Sequence, residues 1–149
     1  MNMKVFSLLH LAENQQTSVN LFTENFQEQV LVYVSNAIVL SKMLSSKGIE
    51  FTLLTNNKLL VEEAKLKVQA RQVDTFSLNV LEIPFITEVP SGVEFYSAHY
   101  KLDALRYFAS LNDGYVALCD SDVVCINPVP DCLRTLIEAE IPLCYDISD

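Results

Sequence analysis

The sequence predicts an α/β fold built on a mostly parallel sheet flanked by helices. Short apolar runs alternate with stretches whose apolar residues recur at helical spacing, which is the pattern of successive strand–helix–strand units. The run from Tyr115 to Cys119 is apolar on both faces, as a buried parallel strand requires. Half of the 149 residues are apolar and only three are glycine, so residues 1–149 can form one regular domain with a core.

The first half of the chain predicts two strand–helix pairs separated by polar and turn residues. Gly48 follows the first helical stretch, at a position where glycine commonly caps a helix. The interpretation is, in order, a strand from Lys4 to Leu11, a loop from Glu13 to Asn20, a helix from Phe22 to Lys47, a strand from Phe51 to Thr55 and a helix from Lys58 to Gln69.

The second half continues the alternation. Its longest helix carries four apolar residues at helical spacing, and we expect these to face the core: Leu102, Leu105, Phe108 and Ala109. The interpretation is, in order, an extended segment from Phe76 to Ile86, a turn from Pro90 to Gly92, a helix from Ala98 to Leu111, a strand from Tyr115 to Cys119, a helix from Asp131 to Ala139 and a strand from Ile141 to Tyr145.

The charge balance excludes one large class of partners. Ten lysine and arginine residues face nineteen acidic residues, giving a net charge of −9, whereas nucleic-acid binding needs a basic surface. An acidic chain that binds an anionic ligand needs a positive mediator. A divalent cation held by carboxylates can supply it, because the ion still presents positive charge to a phosphate.

Neither a membrane span nor a cleaved leader is expected. The best apolar run, Val30 to Leu40, contains Ser35 and Asn36 and falls short of the ~18 residues that span a bilayer. Residues 1–12 suit a buried strand better than a signal peptide, because His10 stands where a small residue should precede the cleavage site. The four cysteines form no Cys-x-x-Cys pair and are expected to be buried free thiols. We therefore expect a cytoplasmic protein, with peripheral contact at the inner membrane left open.

Two aspartates follow the strand that is apolar on both faces. Asp120 and Asp122 are separated by Ser121 alone, and ligands in parallel α/β sheets bind beyond the carboxyl ends of strands. Neighbouring carboxylates repel each other unless a positive charge lies beside them. Mn²⁺ or Mg²⁺ fits, because both prefer oxygen ligands and leave positions for phosphate oxygens. We therefore expect Asp120 and Asp122 to hold a metal ion; the alternative is that they are ordinary loop acids.

A longer pattern surrounds these aspartates. Lys101-Leu102 opens an amphipathic helix, a tyrosine-led apolar strand follows, and the strand runs into Asp120-Ser121-Asp122 with Asn127-Pro128 beyond. This pattern resembles glycosyltransferase family 8 and its GT-A relatives, the glycogenin-like and lipopolysaccharide sugar transferases. Tyr33 and the helical stretch from Ala37 to Leu44 are similar to the family's first helix. The likeness covers most of the chain, but only Lys101 to Pro128 is specific.

The resemblance implies a GT-A, Rossmann-like fold that binds a nucleotide-sugar donor, most often UDP-linked, together with Mn²⁺ or Mg²⁺. It also implies sugar transfer with retention of anomeric configuration. Asp122 would ligate the metal, and Asp120 would ligate it, contact the donor's ribose, or both. Lys101 would lie near the diphosphate or the sugar. The remaining donor contacts would come from Ser121 and, around the base, from His10, Leu11, Ala12 and Tyr33.

Three of these residues have plainer alternatives. Tyr33 is equally consistent with a core aromatic near the start of a helix. Lys101 is also consistent with a solvated lysine, and His10 with a structural histidine at a strand end.

The chain departs from the family pattern at three points. Asp-Ser-Asp replaces the usual Asp-Ala-Asp, and extra residues from Glu13 to Gln29 separate the first strand from the first helix. The acceptor-binding segments and the histidine that completes the family's metal site have no counterpart here, so we expect an incomplete GT-A domain. The acceptor, whether glycan, lipid-linked glycan or protein, is undetermined, and an exposed apolar edge could pair with a second copy.

Two alternative functions are left open. Asp120 to Val124 also resembles the first motif of haloacid-dehalogenase-type phosphatases, in which the first aspartate attacks phosphorus. That fold needs further catalytic segments, and only twenty-seven residues follow Asp122. The second alternative is a non-catalytic nucleotide-sugar-binding or interaction module, because no nucleophile or general base is identifiable.

Overall fold

Strands and helices alternate through the part of the chain that the computed structural model describes, residues 3–11, 25–71, 77–88, 96–111, 114–120, 122–123 and 130–141. The elements are, in order, β1 (Met3–Leu9), α1 (Phe26–Ser45), β2 (Glu50–Thr55), α2 (Lys58–Gln69), β3 (Asn79–Glu82), a 3₁₀ helix (Tyr96–Tyr100), α3 (Lys101–Ser110), β4 (Tyr115–Leu118) and α4 (Asp131–Glu138).

The four strands form one parallel sheet in the order β3-β2-β1-β4. The predicted α/β fold with a parallel sheet is thereby confirmed at this level. The chain steps outward from β1 to β2 and β3, then returns to place β4 on the other side of β1. The order therefore reverses between β1 and β4, and open parallel sheets generally have their ligand crevice at such a point, beyond the carboxyl ends of the strands. β4 is the outer strand of the described sheet and its residues are half-buried, whereas the sequence predicted a strand buried on both faces.

Helices cover both faces of the sheet because side chains alternate along each strand. Val5 and Leu9 of β1 point to one face, where α1 and α2 pack on them. Phe6 points to the other face, towards α3, where its ring centroid lies 4.8 Å from that of Phe108 and 6.3 Å from that of Tyr107. The result is a three-layer arrangement with the sheet in the middle.

Local signals set the ends of the helices on the first face. The side chain of Asn25 accepts a hydrogen bond from the backbone N–H of Gln27 at 2.9 Å and caps α1. Gly48 follows that helix with a φ of 71°, a left-handed conformation that favours glycine. Asn57 caps α2 by accepting from the N–H of Leu60 at 3.0 Å. α2 accordingly spans the predicted residues.

The predicted apolar face of α3 is wrong in part. Leu102 and Leu105 are 49% and 52% exposed, and Ala109 is exposed as well. Asp103 and Ala104 are buried instead. The helix has two apolar faces, and both include Phe108. The hydrogen bonds of Asp103 orient the helix so that the face with Ala104 packs on the sheet.

Several other expectations are corrected or lie outside the described residues. Cys132 is exposed and Cys119 half-buried, so burial of all four thiols is wrong; Cys125 and Cys144 fall outside the description. Ile141 lies outside any strand, and the rest of the predicted last strand falls beyond the described part. The predicted loop at 13–20 and the turn at 90–92 are also outside it. Within the described residues no helix is long and apolar enough to cross a membrane.

Candidate functional site

The candidate site lies where all four parallel strands end. His10 follows β1, Asn56 follows β2, Glu82 ends β3, and Asp120 lies just beyond β4. Parallel strands present their carboxyl ends at one edge of the sheet, so residues far apart in sequence meet there. His10, Leu11 and Asp120, which the sequence singled out as strand-end residues, all belong to this edge.

Lys101 and Asp120 form an ion pair beyond the carboxyl end of β4, next to the point where the strand order reverses. The Lys101 Nζ atom lies 2.8 Å from Asp120 Oδ1, and the two side chains are 46% and 63% exposed. Lys101 is the first residue of α3. The position of Asp120 is set by Cys119, whose N–H bonds the carbonyl of Phe6 at 2.9 Å and extends the β4–β1 pairing by one residue. The fold therefore brings together two residues that the resemblance had associated with one ligand.

The structure describes one further member of the acidic motif. Asp122 is exposed in a turn, and Ser121 lies outside the described residues. Within the described part no three His, Cys, Asp or Glu side chains cluster as metal ligands. Two carboxylates are still a suitable protein contribution to an Mn²⁺ or Mg²⁺ site, since phosphate oxygens and water complete the coordination in nucleotide complexes. The metal site at Asp120 and Asp122 stays a prediction.

Three aromatic rings form a cluster beside β1. His10 stacks on Tyr100 with ring centroids 3.8 Å apart and an interplanar angle of 19°. Phe85 packs edge-on against both rings, at 5.1 Å from His10 and 5.5 Å from Tyr100. Burial lowers the pKa of His10 below its ordinary 6.5, although the negative charge of Asp103 acts in the opposite direction. The imidazole is consequently neutral at neutral pH, and its Nδ1 is buried without a hydrogen-bond partner among the described residues.

The loops after β1 and β2 are joined by a reciprocal pair of hydrogen bonds. Leu11 donates its N–H to Asn56 Oδ1 at 2.7 Å, and Asn56 Nδ2 donates to the Leu11 carbonyl at 2.7 Å. These side-chain bonds replace strand pairing, which explains why β1 ends at Leu9 and not at Leu11 as predicted. Ala12, the third residue of the predicted base-contacting loop, lies outside the described residues.

An open cavity of about 450 Å³ adjoins the ring cluster at the ends of β1, β2 and β3. Its acidic lining residue, Glu82, is held in place because Glu82 Oε2 accepts the N–H of Lys58 at 2.8 Å, at the start of α2. Its lining residues are His10, Asn56, Glu82, Ile83, Pro84 and Phe85.

Sequence reasoning missed most of this cavity. Asn56, Glu82, Phe85 and Tyr100 were not identified from the sequence as site residues. The signal that could have found Asn56 is its position directly after a predicted strand, because parallel pairing brings the carboxyl ends of strands to one edge. Glu82 lies inside the predicted extended segment from Phe76 to Ile86, so its position at the end of β3 became visible only in the structure.

Tyr33 lies away from this edge. It is half-buried and packs against the core between the sheet and α1. It is seven residues from Phe26, the first residue of α1, which corresponds to about 10 Å along the helix axis. This packing is what a core aromatic shows, and a nucleotide contact by Tyr33 stays a prediction.

Comparison of the chain with known protein families, with curated proteins and with solved structures gives no match.

Proposed function

We propose that this chain binds a nucleotide sugar, with UDP as the expected nucleotide, and acts as the donor-binding part of a metal-dependent glycosyltransferase. The observation that carries the proposal is the Lys101–Asp120 pair, located where the strand order reverses in a parallel sheet. That crevice is the general position of ligands in open α/β sheets.

The charges at the crevice suit a diphosphate. Lys101 offers an exposed ammonium group that can move from Asp120 to a phosphate oxygen at little cost, because exposed ion pairs are weak. Asp120 and Asp122 offer the oxygen ligands that Mn²⁺ or Mg²⁺ prefers. When bound, such an ion neutralises charge that develops on the departing nucleoside diphosphate. In a chain of net charge −9, a cation between the acids and the diphosphate also removes their mutual repulsion.

The cavity beside the ring cluster supports the placement of the nucleotide base. Its volume of about 450 Å³ falls within the range of small-ligand sites, roughly 300–1,000 Å³. His10 and Phe85 supply aromatic surface there, and His10 Nδ1 has no hydrogen-bond partner among the described residues. A base in this cavity would be consistent with the contacts expected from His10 and Leu11.

Calorimetric titration of UDP in the presence of MnCl₂ tests the proposal. We expect binding that requires the metal. Asp122→Ala should abolish the Mn-dependent binding while the fold persists, because an exposed carboxylate contributes little to packing. Asp120→Asn should weaken binding less. Glu63→Ala removes an exposed acid from α2 and serves as the matched control, with unchanged affinity.

An unchanged affinity in Asp122→Ala would contradict the metal site. Turnover separates the three functional classes. Metal-dependent hydrolysis of a UDP-sugar supports a transferase, and binding without turnover supports a non-catalytic module. Release of phosphate from a phosphomonoester would support the phosphatase alternative.

A further inference from the structure

Asp103, in the first turn of α3, is a buried carboxylate of which only 3% is exposed. Burying such a group costs free energy unless hydrogen bonds and charges compensate. Its Oδ1 accepts the N–H of Ile86 at 3.2 Å, and its Oδ2 accepts the N–H of Thr87 at 3.3 Å. Arg106 NH1 lies 3.3 Å from Oδ1. A charge held in this way fixes α3 relative to the segment after β3.

That segment forms one wall of the cavity. The N–H of Ile83 still bonds the carbonyl of Thr55 in the neighbouring strand, at 3.0 Å. Three residues further on, the backbone donates to Asp103 and no longer to a strand. Pro84 and Phe85, which line the cavity, lie between these two attachment points. The carboxylate of Asp103 therefore sets the path of the cavity wall.

The segment that Asp103 holds is also connected to the ring cluster through Phe85 and to the ion pair through Tyr100. Phe85 packs edge-on against His10 and Tyr100. Tyr100 directly precedes Lys101, the residue that pairs with Asp120. Movement of the segment after β3 would thus change the cavity wall and the packing next to Lys101 together.

We propose that Asp103 is a positioning residue for the ligand site: by holding the N–H groups of Ile86 and Thr87, it keeps Phe85 against His10 and Tyr100. Its expected effect on UDP affinity rests on the proposed function. Its effect on the ring cluster does not depend on that function.

Amide hydrogen exchange in the unmodified chain is the first test. The amides of Ile86 and Thr87 should exchange slowly although they lie outside any helix or strand, because Asp103 accepts both. Exchange of both amides at the rate of unprotected amides would overturn the proposal. This measurement needs no variant, so it can overturn the proposal even if substitutions of Asp103 prevent folding.

The second test compares Asp103→Asn with Arg106→Ala. The asparagine retains one acceptor but places an NH₂ group against the second backbone N–H, so the segment should be released. We expect the ring protons of His10 to lose the upfield NMR shift caused by Tyr100, and UDP affinity to fall about tenfold to a hundredfold. Arg106→Ala removes a partner whose side chain is 60% exposed, leaves both N–H bonds intact, and should preserve both signals.

The readouts separate positioning from simple stabilisation. If Asp103→Asn lowers the unfolding temperature but leaves the His10 shift and the UDP affinity unchanged, positioning is refuted. If the unmodified chain does not bind UDP, the proposed function fails. The His10 shift in Asp103→Asn still decides whether Asp103 keeps Phe85 against His10 and Tyr100.

Discussion

Replacing Lys101 with methionine should separate ligand binding from stability. Methionine keeps a long, unbranched side chain on the first residue of α3 but removes the ammonium group that lies 2.8 Å from Asp120. If Lys101 serves the ligand, affinity should fall while the fold is hardly affected.

The exposure of the two side chains limits how much the ion pair can contribute to the free energy of unfolding. With side chains 46% and 63% exposed, water screens the attraction, and such exposed pairs contribute about 0–1 kcal/mol to the free energy of unfolding. For a chain of this length, 1 kcal/mol corresponds to about 2–4 °C in the unfolding temperature. Lys101→Met should therefore move the unfolding temperature by no more than a few degrees.

The expected loss of affinity is larger, because a bound diphosphate would place a full negative charge beside the Lys101 ammonium group. A hydrogen bond between a charged group and its partner is worth about 1.5–3 kcal/mol, which corresponds to about tenfold to 150-fold in Kd. Titration calorimetry with UDP and MnCl₂ measures this loss, and urea unfolding measures the stability of the same samples.

Lys67→Met is the matched control. Lys67 lies in the last turn of α2, away from the carboxyl edge of the sheet, and both substitutions lower the net charge of −9 by one. Equal losses of affinity in the two variants would show that only the overall charge matters. An unchanged Kd in Lys101→Met would refute the role of Lys101, and a loss of stability above about 2 kcal/mol would make it a structural residue.

Two further predictions concern stability. The pKa of His10 is lower in the folded chain than the ordinary 6.5, so the unfolded chain takes up a proton first as the pH falls. The stability contributed by neutral His10 is therefore complete above pH 6.5 and is lost as the pH falls below it. Urea unfolding at pH 7.5 and at pH 5 should show a smaller loss of unfolding free energy between the two pH values in His10→Phe than in the unmodified chain. Equal losses would contradict this prediction. Leu54 is fully buried on β2, and Leu54→Ala should lower the free energy of unfolding by about 2–5 kcal/mol. Leu105→Ala, on the exposed side of α3, should change the free energy of unfolding by less than about 0.5 kcal/mol in the same assay. A large loss would show that Leu105 faces the core, as the sequence predicted.

Much of the fold could be predicted because its signals are local. A strand buried on both faces must be a continuous apolar run, and β1, β2 and β4 were located in this way. Asn57 marks the start of α2 because a side-chain acceptor satisfies a free N–H of the first turn. Parallel pairing followed from the alternation of strands and helices, since parallel strands need long crossover connections.

Part of the candidate site was also visible in the sequence. Lys101 and Asp120, both identified from the sequence, form an ion pair beyond the end of β4. Neither the cavity nor the ring cluster was predicted, because Phe85 and Tyr100 have no distinctive local pattern and acquire their role only through contact with His10.

The sequence by itself determined where strands and helices form, because backbone hydrogen bonding and side-chain periodicity act over a few residues. Only the tertiary structure decided which residues meet. Nothing in the spacing of Lys101 and Asp120 states that they lie 2.8 Å apart. Nor does the pattern of α3 state that Asp103, and not Leu105, faces inward. That choice depends on the backbone N–H groups of Ile86 and Thr87, sixteen and seventeen residues earlier, which lie beyond the end of β3 and bond the Asp103 carboxylate instead of a neighbouring strand.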